Sequence, residues 1–164
     1  MRVTPVATIN EKAKVAIEEA DVIILGPGDL YTSILANCVV GGVKEAVRNS
    51  DATIIYVCNL MSRLGQTIGM ESHHYVEEIK KYLEVAPHHM ICNSAQFPAS
   101  LLEAYVKEGN HPVKNSGGTD GCRMHQVNVV STESFVTASG DTIQRSLIRH
   151  DSKKLAAAVM ELIK

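Results

Sequence analysis

Three polar segments of this sequence carry residues suited to hold a phosphorylated ligand. The first runs from residue 26 to 33 and reads Gly-Pro-Gly-Asp-Leu-Tyr-Thr-Ser. Glycines let a backbone approach a ligand closely, and successive N–H groups at a helix start can cradle a phosphate. Thr32 and Ser33 add hydroxyl groups. A tight turn followed by a helix cap would need the same residues, so both interpretations stand. The segment is not a P-loop, because the Gly-Lys-Ser/Thr ending is missing.

The second and third segments follow later apolar runs. Residues 59–69 form a polar stretch that is long for a strand-to-helix connection, which favours a functional role. Arg63 could pair with a phosphate through two hydrogen bonds, and a solvated arginine is the alternative. Residues 93–98 (Asn-Ser-Ala-Gln-Phe-Pro) offer amide groups suited to a base or sugar edge.

The histidines do not predict a metal site. Two pairs are adjacent, at positions 73–74 and 88–89, and neighbouring residues on a helix or strand point in different directions. Spacings such as His-Glu-x-x-His are missing. His150 lies between Arg149 and Asp151, and this aspartate either orients the imidazole or caps a helix. With neither a Gly-x-Ser-x-Gly elbow nor a defined Cys–His pair, no catalytic residue is assigned.

The hydrophobic pattern supplies the elements that would position these segments. Short β-branched runs alternate with amphipathic stretches, which predicts an α/β fold: a Rossmann-like, doubly wound, mostly parallel sheet with helices on both faces, in one domain over residues 1–164. The first strand is apolar on both faces, as expected where helices cover both sides. Asn10 and Asp151 are the predicted N-caps of the first and last helices. The predicted strands are Asp21–Leu25, Thr53–Cys58, Met90–Asn93 and Gln126–Val130, and a clear helix is predicted over Ser72–Leu83.

Composition excludes several classes of protein. The chain has 164 residues, 45% of them hydrophobic, and a formal charge of -2. Without an excess of basic residues, a nucleic-acid partner is not expected. The apolar runs fall short of the roughly 20 residues that cross a bilayer, so no membrane partner is expected either. Four cysteines without a C-x-x-C pair indicate buried free thiols in a reducing compartment, the cytoplasm.

At these segments the sequence resembles a known family. Ala20-Asp21, the Val-Ile-Ile-Leu run, residues 26–34 and Asn37 look like the signature of the gluconeogenesis-factor family, which groups with the 2-phospho-L-lactate transferases (CofD-like proteins). The similarity extends over nearly the whole chain. It continues through Tyr56-Val57-Cys58-Asn59-Leu60-Met61, Gly65, Thr67, Gly69, Asn93, Leu101-Leu102, Tyr105, Glu108-Gly109, Pro112-Val113, Arg149-His150-Asp151 and Lys154-Leu155-Ala156.

The resemblance implies a protein that binds a nucleotide or a UDP-sugar and regulates carbon metabolism and cell shape. The alternative is a transferase that moves a 2-phospholactyl group from a guanine-nucleotide donor to a deazaflavin in the coenzyme F420 pathway. The Gly-Pro-Gly-x-Leu-Tyr-Thr-Ser form favours the regulator, so no cofactor is expected unless the chain is an enzyme, when Mg²⁺ would serve. The residues assigned to the ligand are Gly26, Pro27, Gly28, Asp29, Leu30, Tyr31, Thr32, Ser33, Asn37, Asn59, Met61, Ser62, Gln66, Thr67 and Asn93.

The sequence also departs from the family pattern. Gln66 stands where the family usually has glutamate, His74-Tyr75 where it has Asp-His, and Ala36 where it has proline. The Gly-rich phosphate loop that usually opens the family is missing, so the chain looks like the C-terminal portion. A third interpretation is therefore an inactive remnant. In each case a second copy or a partner chain is expected to complete the sheet.

Overall fold

The computed structural model describes residues 1–117, 119–132 and 147–164. Four strands in this part of the chain form one parallel sheet in the order β1-β2-β3-β4, and helices lie on both faces. The predicted α/β class is confirmed. The strands are β1 (Val22–Leu25), β2 (Thr53–Val57), β3 (His89–Asn93) and β4 (Arg123–Val127); the helices are α1 (Glu11–Glu18), α2 (Leu35–Cys38), α3 (Val43–Asn49), α4 (Ser72–Leu83), α5 (Ala99–Lys107) and α6 (Ser152–Leu162), with a π-helical turn over Leu30–Ile34.

One face of the sheet is covered mainly by α4, together with α2 and α3. The stripe that predicted α4 from the sequence is buried, and the ring of Tyr75 stacks on that of Tyr56 with centroids 6.5 Å apart. All four cysteines lie buried on this side as free thiols. The residues that build this cluster include Leu30, Ile34, Leu35, Val47, Ile54, Val76, Ile79, Leu83 and Met90.

The other face is covered by α5 and α6. Asp151 caps α6 as predicted, since its carboxylate accepts hydrogen bonds from the N–H groups of Lys153 and Lys154. Asn10 caps α1 in the same way. The cluster on this face includes Ile55, Leu60, Ile91, Val129, Val130, Ile148, Ala158 and Val159.

Two expectations about the strands are wrong. The fourth strand is Arg123–Val127 rather than Gln126–Val130, because Val130 instead forms an antiparallel bridge with His150. β1 is covered only in part on the α5–α6 face: Val22 packs against that cluster, whereas Ile24, whose side chain lies on the same face, is 51% exposed. Part of the region predicted to be irregular, residues 133–146, lies outside the described residues.

Within the described ranges, no helix has both the length and the apolar character that crossing a bilayer requires.

Candidate functional site

The segment from Gly26 to Ser33 (loop 1) turns away from the end of β1 and enters the π-helical turn. The backbone N–H groups of Ser33 and Ile34 both donate to the carbonyl of Asp29, at 2.9 and 3.2 Å. Leu30, at the start of the turn, is 1% exposed and anchors it in the core. Burial, and then the charge and hydrogen bond of Glu78, raise the pKa of Tyr31, so this tyrosine faces α4. Within loop 1, Leu30 is buried and Tyr31 is half-buried against α4, whereas Thr32 and Ser33 are exposed.

Asn59 ties loop 1 to the sheet. Its amide nitrogen donates to the carbonyl of Gly28 at 2.8 Å, and its amide oxygen accepts from the Tyr56 hydroxyl at 3.1 Å. A side chain at position 28 would have its Cβ 3.2 Å from the Cβ of Ser33, so the loop is close-packed around this glycine. Asn59 thus holds loop 1 in a fixed position next to the carboxyl end of β2.

In the segment from Asn59 to Gly69 (loop 2), residues 60–64 are hydrogen-bonded to residues 110–113. The N–H of Ser62 donates to the carbonyl of His111 at 2.6 Å, and the Ser62 hydroxyl accepts from the N–H of His111 at 2.8 Å. The N–H of Leu64 donates to the Asn110 side chain at 2.7 Å. The hydroxyl of Thr67 accepts from the N–H of Arg63 at 2.8 Å. These contacts make loop 2 a fixed wall.

The two loops enclose a cleft of about 270 Å³ beyond the carboxyl ends of β1 and β2. This is the end of a parallel sheet at which ligands bind in α/β folds. The C-terminal end of α5 and the segment before α6 complete its lining. The cleft is lined by Pro27, Gly28, Asp29, Asn59, Leu60, Met61, Ser62, Arg63, Tyr105, Asn110, Ile148, Arg149 and His150.

The charged lining of the cleft favours an anion. Among the described residues of the lining, Arg63 and Arg149 contribute two guanidinium groups and Asp29 contributes one carboxylate. The nitrogen Nε of Arg63 lies 4.0 Å from the Asp29 carboxylate, and both side chains are well exposed, so this pair contributes little to stability. A phosphate could therefore replace Asp29 as the partner of Arg63 at little cost in stability. It would form a stronger contact with the guanidinium group, through two parallel hydrogen bonds.

His150 is held neutral at the floor of the cleft. Burial lowers the pKa of its imidazole, and a hydrogen bond to the Cys58 carbonyl partly offsets that shift. Its Nε2 lies 3.2 Å from this carbonyl oxygen, which only accepts, so Nε2 carries the proton. In the neutral ring, Nδ1 is then an acceptor. Asp151 does not orient the ring, because its carboxylate caps α6.

The structure gathers some of the residues assigned to the ligand and separates others. Those that line the cleft are Pro27, Gly28, Asp29, Asn59, Met61 and Ser62. A separate groove beside β1, of about 370 Å³, is lined by Gly26, Ser33 and Asn37 among others, and also by Pro27 and Gly28. Leu30 and Thr67 are buried, and Thr32 and Gln66 line neither space.

Asn93 and its segment stand apart from the cleft. Its side chain donates to the carbonyl of Ala95 at 2.7 Å and accepts from the N–H of the same residue at 3.1 Å, so it shapes its own turn. The residues assigned to the ligand did not include Leu60, Tyr105, Asn110, Ile148, Arg149 or His150, which line the cleft, and Arg63, considered from the sequence as a partner of a phosphate, lines it as well. The sequence Arg149-His150-Asp151 pointed to Arg149 and His150. No pattern in the sequence near Asn110 points to that residue.

The expectation that paired histidines diverge is wrong at one pair. The rings of His73 and His74 lie with centroids 3.7 Å apart at the start of α4, where the Glu71 N–H donates to Nδ1 of His74. This bond completes a capping box and turns the ring back along the helix.

Comparison with known proteins places the chain in a family. Residues 1–135 match the family model described as 2-phospho-L-lactate transferase CofD. The chain is 41% identical over 145 residues to the "Putative gluconeogenesis factor" of Thermotoga maritima, covering 88% of this chain and 44% of that protein. It is 31% identical over 149 residues to the gluconeogenesis factor of Bacillus subtilis, covering 90% of this chain and 44% of that one.

A solved structure agrees with these relationships. The X-ray structure of a protein from Bacillus halodurans superposes with a TM-score of 0.84 at 27% identity, over 97% of this chain and 49% of that one. A second crystal structure of that protein describes it as a member of the UPF0052 family. The chain thus spans about half the length of these relatives or less. The chain belongs to the CofD-like family, and the two curated relatives described above carry the name gluconeogenesis factor.

Proposed function

We propose that the cleft binds the phosphate groups of a nucleotide sugar, in the first place a UDP-sugar, and that binding serves regulation rather than turnover. The observation that carries this proposal is the pair of arginines at the carboxyl end of the sheet. Arg63 and Arg149 line one cleft together with the backbone of loop 1 at Gly28. Guanidinium groups recognise phosphate oxygens through paired hydrogen bonds.

The polar side chains of the cleft divide into two groups. Asn59 and Ser62 already bond to the backbone of the chain, so their role in the proposal is to hold the loops in place. In the proposal the arginines contact the ligand through their charge, and the imidazole of His150, whose Nε2 bonds to the Cys58 carbonyl, accepts from a ribose or sugar hydroxyl through Nδ1. This assignment shifts the expected phosphate contacts from loop 1 to side chains of loop 2 and the segment before α6.

The size of the cleft supports binding of part of a ligand. Pockets for small molecules usually measure about 300–1,000 Å³, and this cleft is at the lower limit. Pro27 and Gly28 also line the groove beside β1, where Asn37 has an amide oxygen to offer. We propose that the phosphates occupy the cleft and that the base or sugar extends across loop 1. The remaining contacts would come from the part of the family fold that this chain does not span, from a second copy or from a partner chain.

A regulatory role in carbon metabolism and cell shape is part of the same proposal. It rests on the family, and on the name gluconeogenesis factor that the relatives carry. The transferase alternative needs a donor with a guanine nucleotide as leaving group and would show turnover that depends on Mg²⁺.

A thermal-shift panel tests the proposal with UDP-N-acetylglucosamine, UDP-glucose, GDP, GTP and ATP, with and without Mg²⁺. A ligand at about 100 times its Kd should add roughly 2.7 kcal/mol to the stability. We expect a shift with UDP-sugars, weakened about tenfold or more in affinity by Arg63→Gln or Arg149→Gln, because a hydrogen bond to a charged group contributes about 1.5–3 kcal/mol.

The matched control is Arg48→Gln on α3, whose guanidinium pairs with Glu84 far from the cleft. It should bind UDP-sugars like the parent chain. Equal shifts in Arg149→Gln and Arg48→Gln would contradict the assignment of the cleft. Release of a guanine nucleotide from a phospholactyl donor would replace the regulator with the transferase.

A further inference from the structure

A second cavity lies next to loop 2, across Ser62 from the cleft. Its volume of about 470 Å³ exceeds that of the cleft and falls within the usual range of small-molecule pockets, about 300–1,000 Å³. It is lined by residues 68–71 on one side and by His111, Pro112 and Lys114 on the other. Among the described residues, Ser62 alone lines both spaces.

Backbone hydrogen bonds hold the walls of this cavity in place. The N–H of Val113 donates to the carbonyl of Leu60 at 3.1 Å, and the N–H of Ser72 donates to the carbonyl of Lys114 at 2.9 Å. Gly69 turns the chain at the end of loop 2 with a φ of 76°, in the left-handed region that glycine favours. The cavity is therefore preformed, so a ligand does not have to order the chain when it binds.

The body of the cavity is apolar. Ile68 is 46% exposed, and Met70 and Pro112, which line the same space, are half-buried. An apolar ligand would remove these side chains from water, and the hydrophobic effect favours that transfer.

The charges of the lining are unevenly compensated. The Lys114 ammonium makes no salt bridge with another described residue. The carboxylate of Glu71 accepts from the N–H of His74 as the cap of α4, so the positive end of that helix offsets its charge. The imidazole of His111 carries at least one N–H in either tautomer. The lining thus offers an ammonium group and an imidazole N–H to an anion.

From these features we propose that the cavity binds a carboxylic acid with an apolar chain, of the class of the medium-chain fatty acids. Its carboxylate contacts the Lys114 ammonium in a charge-assisted hydrogen bond and accepts a second bond from the His111 imidazole. Its chain lies against Ile68, Met70 and Pro112. Because this lining is mostly apolar, the ligand differs in class from that of the cleft, and the inference does not depend on the proposed function.

The test is a calorimetric titration of the chain with octanoate below its micelle-forming concentration, together with thermal unfolding. We expect one molecule per chain and a rise in Tm. Hexanoate lacks two methylene groups and should bind up to about fifteenfold more weakly, at about fourfold per methylene. Octylamine has the same apolar chain but the opposite charge. It should bind at least about tenfold more weakly than octanoate, because its ammonium would meet that of Lys114.

Two variants test the two parts of the site. Lys114→Gln should weaken octanoate binding about tenfold, because it removes a hydrogen bond to a charged group. Ile68→Ser should weaken it by a similar factor through the loss of apolar contact. Both side chains are exposed, so neither change should unfold the chain. The matched control is Lys12→Gln, at an exposed lysine of α1, which should bind octanoate like the parent chain.

Four outcomes would each overturn the proposal. These are equal affinity for octanoate and octylamine, equal octanoate affinity in Lys114→Gln and the parent, loss of affinity in Lys12→Gln, and neither heat nor a Tm shift at millimolar octanoate. Displacement of octanoate by UDP-glucose would place the fatty acid in the cleft and would also contradict the assignment. Failure of UDP-sugars to bind at all would leave the octanoate result intact, so the two proposals fail independently.

Discussion

The strands β1 and β2 are about equally apolar in sequence, yet the structure treats them differently. β1 reads Val-Ile-Ile-Leu and β2 reads Thr-Ile-Ile-Tyr-Val. Ile24 of β1 and Ile55 of β2 are register partners on the same face of the sheet, and Ile24 is 51% exposed where Ile55 is fully buried. The burial of the inner strands therefore contributes most of the stability of the sheet. The outer strand β1 has an exposed apolar side chain that is available for contacts with another chain.

The largest expected effect comes from truncating this matched pair. Ile55→Ala should lower the free energy of unfolding by about 2–5 kcal/mol, because a cavity opens in a close-packed core. Ile24→Ala should cost less than about 1 kcal/mol, because solvent already reaches the side chain. Urea denaturation of the two variants measures both values. Equal losses would mean that β1 is as well covered as β2.

The exposed face of β1 also tests the proposed association with a second copy or a partner chain. Ile24→Lys places a charge on that face without disturbing the inner strands. If copies of the chain pack there, sedimentation should show mass that rises with concentration in the parent and falls to the monomer in Ile24→Lys. If the variant associates as strongly as the parent, the contact between copies lies on another surface.

The sequence predicted the inner part of the molecule better than its margins. The helix Ser72–Leu83 agrees at both ends because its buried stripe has a clear helical period. The fourth strand was misplaced because Arg123, His125 and Gln126 are polar, whereas the apolar pair Val129 and Val130 lies beyond the sheet. A strand at the margin of the sheet buries little, so hydrophobicity does not identify it.

The site was predictable only where its residues follow a strand directly. Loop 1 and loop 2 begin at the ends of β1 and β2, so their place beyond the sheet follows from the parallel topology. Asn110 reaches the cleft by bonding to Leu64 across 46 residues, and no local pattern encodes such a contact. The same holds for Tyr105, which comes to the cleft from the end of α5.

A second comparison, between two asparagines, tests the loops at the cleft. Asn59→Ala removes the side chain that bridges the Tyr56 hydroxyl and the Gly28 carbonyl. Because the buried Tyr56 hydroxyl then lacks its acceptor, we expect a loss of about 1–3 kcal/mol in the free energy of unfolding. Asn115→Ala removes one exposed hydrogen bond to the Asn93 carbonyl and should cost at most about 1 kcal/mol. Urea denaturation gives the two values, and a smaller loss in Asn59→Ala would show that loop 1 does not depend on this bridge.

The smallest expected effect is a pH dependence that again separates the interior from the surface. His150 is half-buried in the lining of the cleft, and desolvation lowers its folded-state pKa below the ordinary value of 6.5. As the pH falls below about 6.5, the unfolded chain binds a proton at this histidine before the folded chain does, so the free energy of unfolding decreases until the folded-state pKa is passed. His89 and His125 shift in the same direction and add to the slope.

The variant His150→Gln isolates the contribution of this imidazole. Denaturation curves between pH 5 and pH 8 should show a smaller loss of stability on acidification in His150→Gln than in the parent, because glutamine does not titrate. Asn115→Ala, which changes no titratable group at an exposed position, should keep the slope of the parent curve. If His150→Gln keeps the full slope, the histidine is protonated equally in both states and the cleft floor is wetter than its burial indicates. If the slope falls, the imidazole is neutral at physiological pH, as a hydrogen-bond acceptor for a sugar hydroxyl must be.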